Sequence, residues 1–145
     1  METVTQQSSR HHDIVQLLRT HRITPTVQRV LIASRLFERS QHLTAEQLLE
    51  LANDSGRRVS KATIYNTLGL FVRKGLVREL IVDGNRAFYD SNTSAHAHVY
   101  NPDTQELFDV DVKDIDIALP AALGREARID HIEVTVHLTS TAANR

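Results

Sequence analysis

The chain has no cysteine, which excludes disulfides, thiolate-bound zinc and a cysteine nucleophile. It has no apolar run long enough to span a bilayer, and its first ten residues are too polar for a secretory signal. A cytoplasmic protein with no membrane association is therefore expected. No internal repeat occurs, and no low-complexity segment beyond a polar N-terminal tail. Against these absences, 41% of the residues are hydrophobic and 24% charged, a globular composition. At 145 residues the chain suffices for one domain or two small ones sharing an interface.

Acidic residues are also missing where basic ones gather. Between positions 57 and 78 stand Arg57, Arg58, Lys61, Arg73, Lys74 and Arg78, with no Asp or Glu. Residues 1–90 carry 13 Lys/Arg against 9 Asp/Glu, and residues 91–145 carry 4 against 9. A basic front half and an acidic back half suggest a polyanion-binding part joined to a part with another task.

The basic cluster brackets a helix start. Ser60 is a good N-cap, because its hydroxyl can accept a backbone N–H that the first turn leaves unpaired. Ile64, Leu68 and Phe71 recur at helical spacing and call for a core. Lys61, Thr63, Tyr65 and Asn66 are then left to point outward, as side chains do on a helix that reads base edges in a major groove. Gly75 ends the helix, since it alone tolerates a left-handed cap without a Cβ clash.

Before this helix, residues 12–20 form a short amphipathic helix, and Pro25-Thr26 starts another with Val27, Val30, Leu31 and Phe37 inward. Thr44 and Gln47 have the spacing of a capping box for a helix that buries Leu48, Leu49, Leu51 and Ala52. After it, Leu76–Val82 and Arg86–Asp90 read as strands around the turn Asp83-Gly84-Asn85. This order is that of a winged helix-turn-helix. Arg57, Arg58, Arg78 and Arg86 would hold the phosphate backbone, which positions a protein on DNA without specifying sequence.

Residues 1–10 are expected to be a disordered tail, 11–90 a winged-helix DNA-binding domain, 91–94 a hinge, 95–138 a dimerisation and metal-sensing domain, and 139–145 a second tail. Beyond the hinge, His96–Tyr100 and Glu106–Val110 read as strands, with about two helical turns from Val112. A last strand follows at Arg128–Leu138. So small an α/β unit has little core of its own, and a second copy would supply the missing burial. The fold class is α+β.

His96 and His98 share one face of a strand. His42, Asp83 and Asp109 stand near boundaries where a closing hinge could bring them to these imidazoles. Three imidazoles and two carboxylates suit iron(II), manganese or zinc and disfavour sulfur-loving ions. A cation bound by both parts would shift the hinge toward one state.

Ala62-Thr63-Ile64-Tyr65-Asn66-Thr67-Leu68, Thr26-Val27-Gln28-Arg29, His42-Leu43-Thr44-Ala45-Glu46 and His96-Ala97-His98, in this order, resemble the ferric uptake regulator superfamily. Thr63–Leu68, Val82-Asp83-Gly84, Asn101–Asp109 and Ala127-Arg128-Ile129-Asp130 are most similar to its iron response regulator branch. The resemblance implies a dimeric repressor of iron homeostasis binding a double-stranded DNA operator. The implied sensing ligands are His42, Asp83, His96, His98 and Asp109. The DNA-contacting set is Arg57, Arg58, Ser60, Lys61, Thr63, Tyr65, Asn66 and Arg78, with Tyr65 matching the family's base-contacting tyrosine.

Three departures stand out. Asn101 and Thr104 occupy the places of the first cysteine pair of the family's zinc site. Of its second metal site only Asp116 and His131 match, since Ala95 and Ala97 replace the other ligands. Ala97 also interrupts the three successive histidines that the iron response branch links to haem, which leaves haem as a candidate ligand. Two further functions stay open beside the iron-homeostasis repressor: a peroxide sensor built on the His/Asp site, and a small non-haem iron enzyme using His96, His98 and a carboxylate. An enzyme would need neither a basic helix nor a wing, so a non-enzymatic regulator is expected. A metal-independent winged-helix protein with structural histidines is the remaining alternative.

Overall fold

Helix α1 (Val4–Thr20) begins eight residues ahead of the helix expected from residue 12. Residues 4–10 contain neither glycine nor proline, so nothing local stops the helix there, although residues 6–13 are exposed. The computed structural model describes residues 4–54, 56–84, 86–116, 118, 120, 121 and 133–139. It divides into two units, Met1–Thr93 and Ser94–Arg145.

In the first unit, α1 closes in a left-handed turn at Arg22 (φ 57°), with the Ile23 N–H bonded back to the Leu18 carbonyl at 2.9 Å. Thr26 caps α2 (Val27–Leu36) by accepting the Arg29 N–H. Val27, expected inward, is 70% exposed. The buried face of α2 is instead Val30, Ile32, Ala33 and Leu36, because Val27 sits in the first turn, beside the cap and ahead of the packed segment. α3 (Ala45–Asn53) has the complete capping box, with the Thr44 hydroxyl taking the Gln47 N–H and the Gln47 side chain taking the Thr44 N–H.

Helix α4 (Lys61–Arg73) is capped by Ser60, whose hydroxyl accepts the Thr63 N–H at 3.1 Å. It buries Ile64, Leu68 and Phe71, and Thr67 with them. Gly75 (φ 72°) takes the left-handed position. The Leu76 N–H reaches Phe71 O and the Gly75 N–H reaches Val72 O, a double closure of the helix end. The helices share one core in which Leu18, Ile32, Leu36, Leu48, Leu68 and Phe71 are fully buried.

The wing is a three-stranded sheet rather than a simple hairpin. β2 (Arg78–Ile81) and β3 (Ala87–Asp90) pair antiparallel. A two-residue strand β1 (His42–Leu43) adds to the other edge of β3, giving the order β1-β3-β2.

In the second unit, β4 (Ala97–Asn101) is central. It pairs antiparallel with β5 (Glu106–Val110) and parallel with β6 (Thr135–His137). The two-turn helix expected from Val112 is a single 3₁₀ turn, Val112–Asp114, with Asp111 accepting the Lys113 N–H at its start. Of the strand expected at Arg128–Leu138, residues 128–132 lie outside the described residues. Asn101 Oδ1 accepts the Asp103 N–H at 3.0 Å and the Thr104 N–H at 3.4 Å. An Asx turn thus closes the β4–β5 hairpin. Among the described residues no helix is long and apolar enough to cross a membrane.

Candidate metal centre and nucleic-acid interface

The pairing of β1 with β3 sets His42 opposite Asp90. The His42 Nε2 lies 3.1 Å from Asp90 Oδ2. Asp90 is fully buried, and its other oxygen accepts the Asn92 N–H at 2.8 Å. One ring nitrogen facing a carboxylate oriented by backbone is the arrangement that holds a ligand pair rigid. Asp83 is not the carboxylate beside His42. Three residue pairs, roughly 10 Å at about 3.4 Å per residue, separate Asp90 from the turn end of the hairpin. Asp83 lies beyond that end, exposed and with φ 43°. The sequence pattern makes Asp90 only the last residue of the second wing strand, ahead of the hinge, and gives it no ligand role. The signal was there: an aspartate closing a strand next to Ser91-Asn92, where a carboxylate must find partners of its own.

In the second unit, β4 and β5 place His98 opposite Asp109. The Asp109 Oδ1 lies 3.2 Å from His96 Nε2 and 3.5 Å from His98 Nε2. The two imidazoles meet edge to face, ring centres 4.5 Å apart. Both histidines are buried, while the Asp109 side chain is 37% exposed. The His96 Nδ1 is 2.6 Å from the Ser94 carbonyl, so it donates its proton there and leaves Nε2 as the nitrogen directed at Asp109. A backbone carbonyl fixing the tautomer in this way is what metal-ligating histidines usually have. Each unit therefore presents imidazole nitrogen with carboxylate oxygen, a donor set that fits iron(II), manganese(II) or zinc(II). Of the second pair, Asp116 is exposed and His131 lies outside the described residues. Ala97, between the two buried histidines, is itself buried and offers no ligand.

On α4, Lys61, Tyr65 and Asn66 are exposed and Thr63 half-exposed. Arg57 and Arg58 are exposed in the loop before it. That loop is clamped by Asn53, whose Oδ1 accepts the Val59 N–H at 2.7 Å and whose Nδ2 donates to the Val59 carbonyl at 3.1 Å. Ser60 spends its hydroxyl on the cap and on a 2.9 Å bond to the Thr63 hydroxyl. Arg78 donates to the Thr93 carbonyl at 3.3 Å. Of the eight residues read as DNA contacts, Ser60, Thr63, Tyr65 and Arg78 each have at least one side-chain polar atom engaged within the protein. A groove of about 390 Å³ runs beside α4, with Arg29, Asn66 and Arg73 on its walls. The sequence reading did not count Arg29 or Arg73 as contacts, although both cations open onto the groove.

The family model described as "Ferric uptake regulator family" matches residues 19–137. A peroxide-responsive repressor, PerR, of Staphylococcus epidermidis is 36% identical over 78 residues, 54% of this chain and 51% of the relative. The chain thus aligns to about half the length of the curated relatives it matches. The structure of the ferric uptake regulator of Vibrio cholerae superposes with a TM-score of 0.70 at 21% identity, covering 87% of this chain and 98% of that one. That of Pseudomonas aeruginosa with manganese gives 0.67 at 23%, over 86% and 95%. At these identities the likeness is one of fold: α+β throughout, with the same architecture across nearly the whole of both neighbours.

Proposed function

The chain belongs to the ferric uptake regulator family, and from that premise we propose that it is a metal-responsive, dimeric, DNA-binding transcriptional repressor of iron homeostasis. What carries the reading is one coincidence. A winged helix with an exposed polar face and flanking arginines shares its chain with clustered imidazole and carboxylate donors. The proposed sensing ligands are His42 and Asp90 from the first unit and His96, His98 and Asp109 from the second, with Asp90 taking the part expected of Asp83. Iron(II) or manganese(II) is the proposed cation, in keeping with the manganese-bound neighbour. Haem is not proposed, because the donors gathered among the described residues are imidazoles and carboxylates suited to a bare divalent cation.

A divalent cation supplies, when bound, the positive charge that lets several carboxylates and imidazoles share one place. The protein's part is to hold each donor ready. Ser94 fixes the His96 tautomer, the Asn92 N–H orients Asp90, and strand pairing sets His98 across from Asp109. Binding that favours one arrangement of the chain shifts the population toward it, by no more than the difference in affinity. Arg57, Arg58 and Lys61 supply phosphate contacts, and Tyr65 and Asn66 supply base contacts. An enzymatic role is set aside with family membership.

Dimerisation is proposed through the second unit. Val99 pairs with Phe108 on one side and Val136 on the other, so the three form one apolar row across the sheet. Phe108 and Val136 are 49% and 45% exposed, more than a small sheet leaves uncovered without reason.

The test is a titration of operator duplex with purified protein, first without metal and then with iron(II), manganese(II) and zinc(II). Salt must be varied alongside, because counterion release makes a single affinity uninterpretable. Specific binding with a Kd of roughly 10⁻⁸–10⁻¹¹ M at physiological salt is expected in one metal state only. His98→Ala should weaken binding about tenfold with metal present and leave it unchanged without; equal affinity of variant and wild type in both states refutes the sensing role.

A second reading is favoured by the name of the 36%-identical relative, a peroxide-responsive repressor. In that case hydrogen peroxide added to the iron(II)-loaded protein abolishes duplex binding, with one oxygen gained on His96 or His98 by peptide mass spectrometry. Loss of binding on iron removal alone, with no histidine oxidation, returns the assignment to iron homeostasis.

A further inference from the structure

We propose that Glu46 sets the hydrogen-bonding polarity of Tyr65, committing its hydroxyl proton to the protein so that the oxygen meets DNA as an acceptor and selects bases presenting an amino group. The inference rests on the reading of α4 as the helix that enters the major groove.

Tyr65 is exposed on α4, and its hydroxyl donates to Glu46 Oε1 at 2.9 Å. The two residues are 19 apart in sequence and are brought together by the packing of α3 against α4. A carboxylate can only accept, so the direction of this bond is not open to choice. Glu46 is held in its ionised form below the ordinary carboxylate range, first by a backbone N–H at its own position and next by the Tyr65 hydroxyl. Lys61 and Arg86 add to this, and the first turn of α3 is itself a favourable place for negative charge. Tyr65 in turn keeps its proton more tightly, chiefly because of the same bond. The Lys61 ammonium sits 5.9 Å from the centre of the Tyr65 ring. The phenol is therefore held at its tip by an anion and at its face by a cation.

A free phenol is ambiguous in the major groove. It can donate to guanine O6 or N7 or to thymine O4, and it can accept from adenine N6 or cytosine N4. With its proton committed to Glu46, only acceptance remains. Opposite guanine O6 or thymine O4 two oxygens would face each other with no proton between them. Adenine or cytosine on the contacted strand is then preferred. Glu46, although it touches no base in this account, is a specificity-determining positioning residue.

The test is selection from a randomised duplex library by the full chain loaded with manganese(II), run in parallel for wild type, Glu46→Ala, Glu46→Gln and Tyr65→Phe. Wild type should show, at one position of each half-site, a preference for adenine or cytosine of about five- to tenfold, the size of one net hydrogen bond. Glu46→Gln can accept through Oε1 but can also donate through Nε2, so it should keep part of the preference. Glu46→Ala frees the hydroxyl to rotate and should flatten that position to within about twofold, with overall duplex binding retained. Tyr65→Phe should flatten it as well. Unchanged selection by Glu46→Ala overturns the inference. So does a preference that survives in Tyr65→Phe, which would make Glu46 itself the base contact, and so does Glu46→Gln behaving as Glu46→Ala, which would make charge the determinant. If wild type enriches no duplex at all, the DNA-binding reading fails, and the inference goes with it.

Discussion

Replacing Asn53 with alanine should do more damage than its half-exposed position suggests. Its amide forms both halves of a clamp on Val59, accepting the N–H at 2.7 Å and donating to the carbonyl at 3.1 Å. Val59 is 5% exposed, so water cannot easily replace either partner. An unsatisfied buried N–H costs about 1–3 kcal/mol, and loss of the second bond adds roughly 1 kcal/mol. The sum is about 2–4 kcal/mol, against a cost near zero for an ordinary surface substitution. For a unit of this size each kcal/mol moves the midpoint by about 4–8 °C, so a fall of roughly 10 °C or more is expected by far-UV circular dichroism. The clamp also closes the loop that carries Arg57 and Arg58 into the Ser60 cap. At temperatures where Asn53→Ala remains folded, the slope of log affinity against log salt should therefore drop by about one or two phosphate contacts. A midpoint within about 2 °C of wild type, with an unchanged salt slope, would show that the clamp neither stabilises the unit nor positions the arginines.

Asp109→Asn should weaken manganese(II) binding by about tenfold or more in calorimetric titration, since Asp109 Oδ1 faces both His96 and His98; equal affinity would remove it from the ligand set. Burial, with the charge of Glu79 adding to it, pushes the Tyr89 hydroxyl from 10.0 up to about 12. A group whose pKa is raised on folding contributes stability that is complete below its unfolded value, so this contribution should persist to pH 10 and be lost as pH rises toward 12. Tyr89→Phe should abolish that part of the alkaline loss in urea unfolding, and an identical alkaline profile in the variant would refute the assignment. Asn101→Ala removes the acceptor of the two N–H groups in the β4–β5 turn and should destabilise the second unit by about 1 kcal/mol. Hydrogen exchange at Asp103 and Thr104 reads this directly, and unaltered protection would mean the side chain does not hold the turn.

Local chemistry was legible from residues alone. Thr26, Thr44 and Ser60 cap their helices because each hydroxyl lies within three residues of the N–H it accepts. Ile64, Leu68 and Phe71 are buried because a 3.6-residue period admits one apolar side. Gly75 closes α4 because the left-handed turn needs no distant partner. The exposed face of α4 with Lys61, Tyr65 and Asn66 follows from the same period. The two-residue spacing that turns His96, just ahead of β4, and His98, within it, toward Asp109 was nearly as plain.

The tertiary structure decided what joins residues far apart in the chain. A two-residue strand such as β1 has no periodicity to read, and only its pairing with β3 makes Asp90, rather than Asp83, the neighbour of His42. The same holds for Val27, whose apolar character points inward by pattern while the packing of α2 turns it to solvent. Nothing in residues 44–66 announces that the Glu46 carboxylate and the Tyr65 hydroxyl meet, since neither belongs to an interval that helix geometry repeats. Contacts between neighbours along a helix or strand are dictated by backbone geometry, which every residue carries with it. Contacts across elements depend on register and packing, which the whole core selects at once.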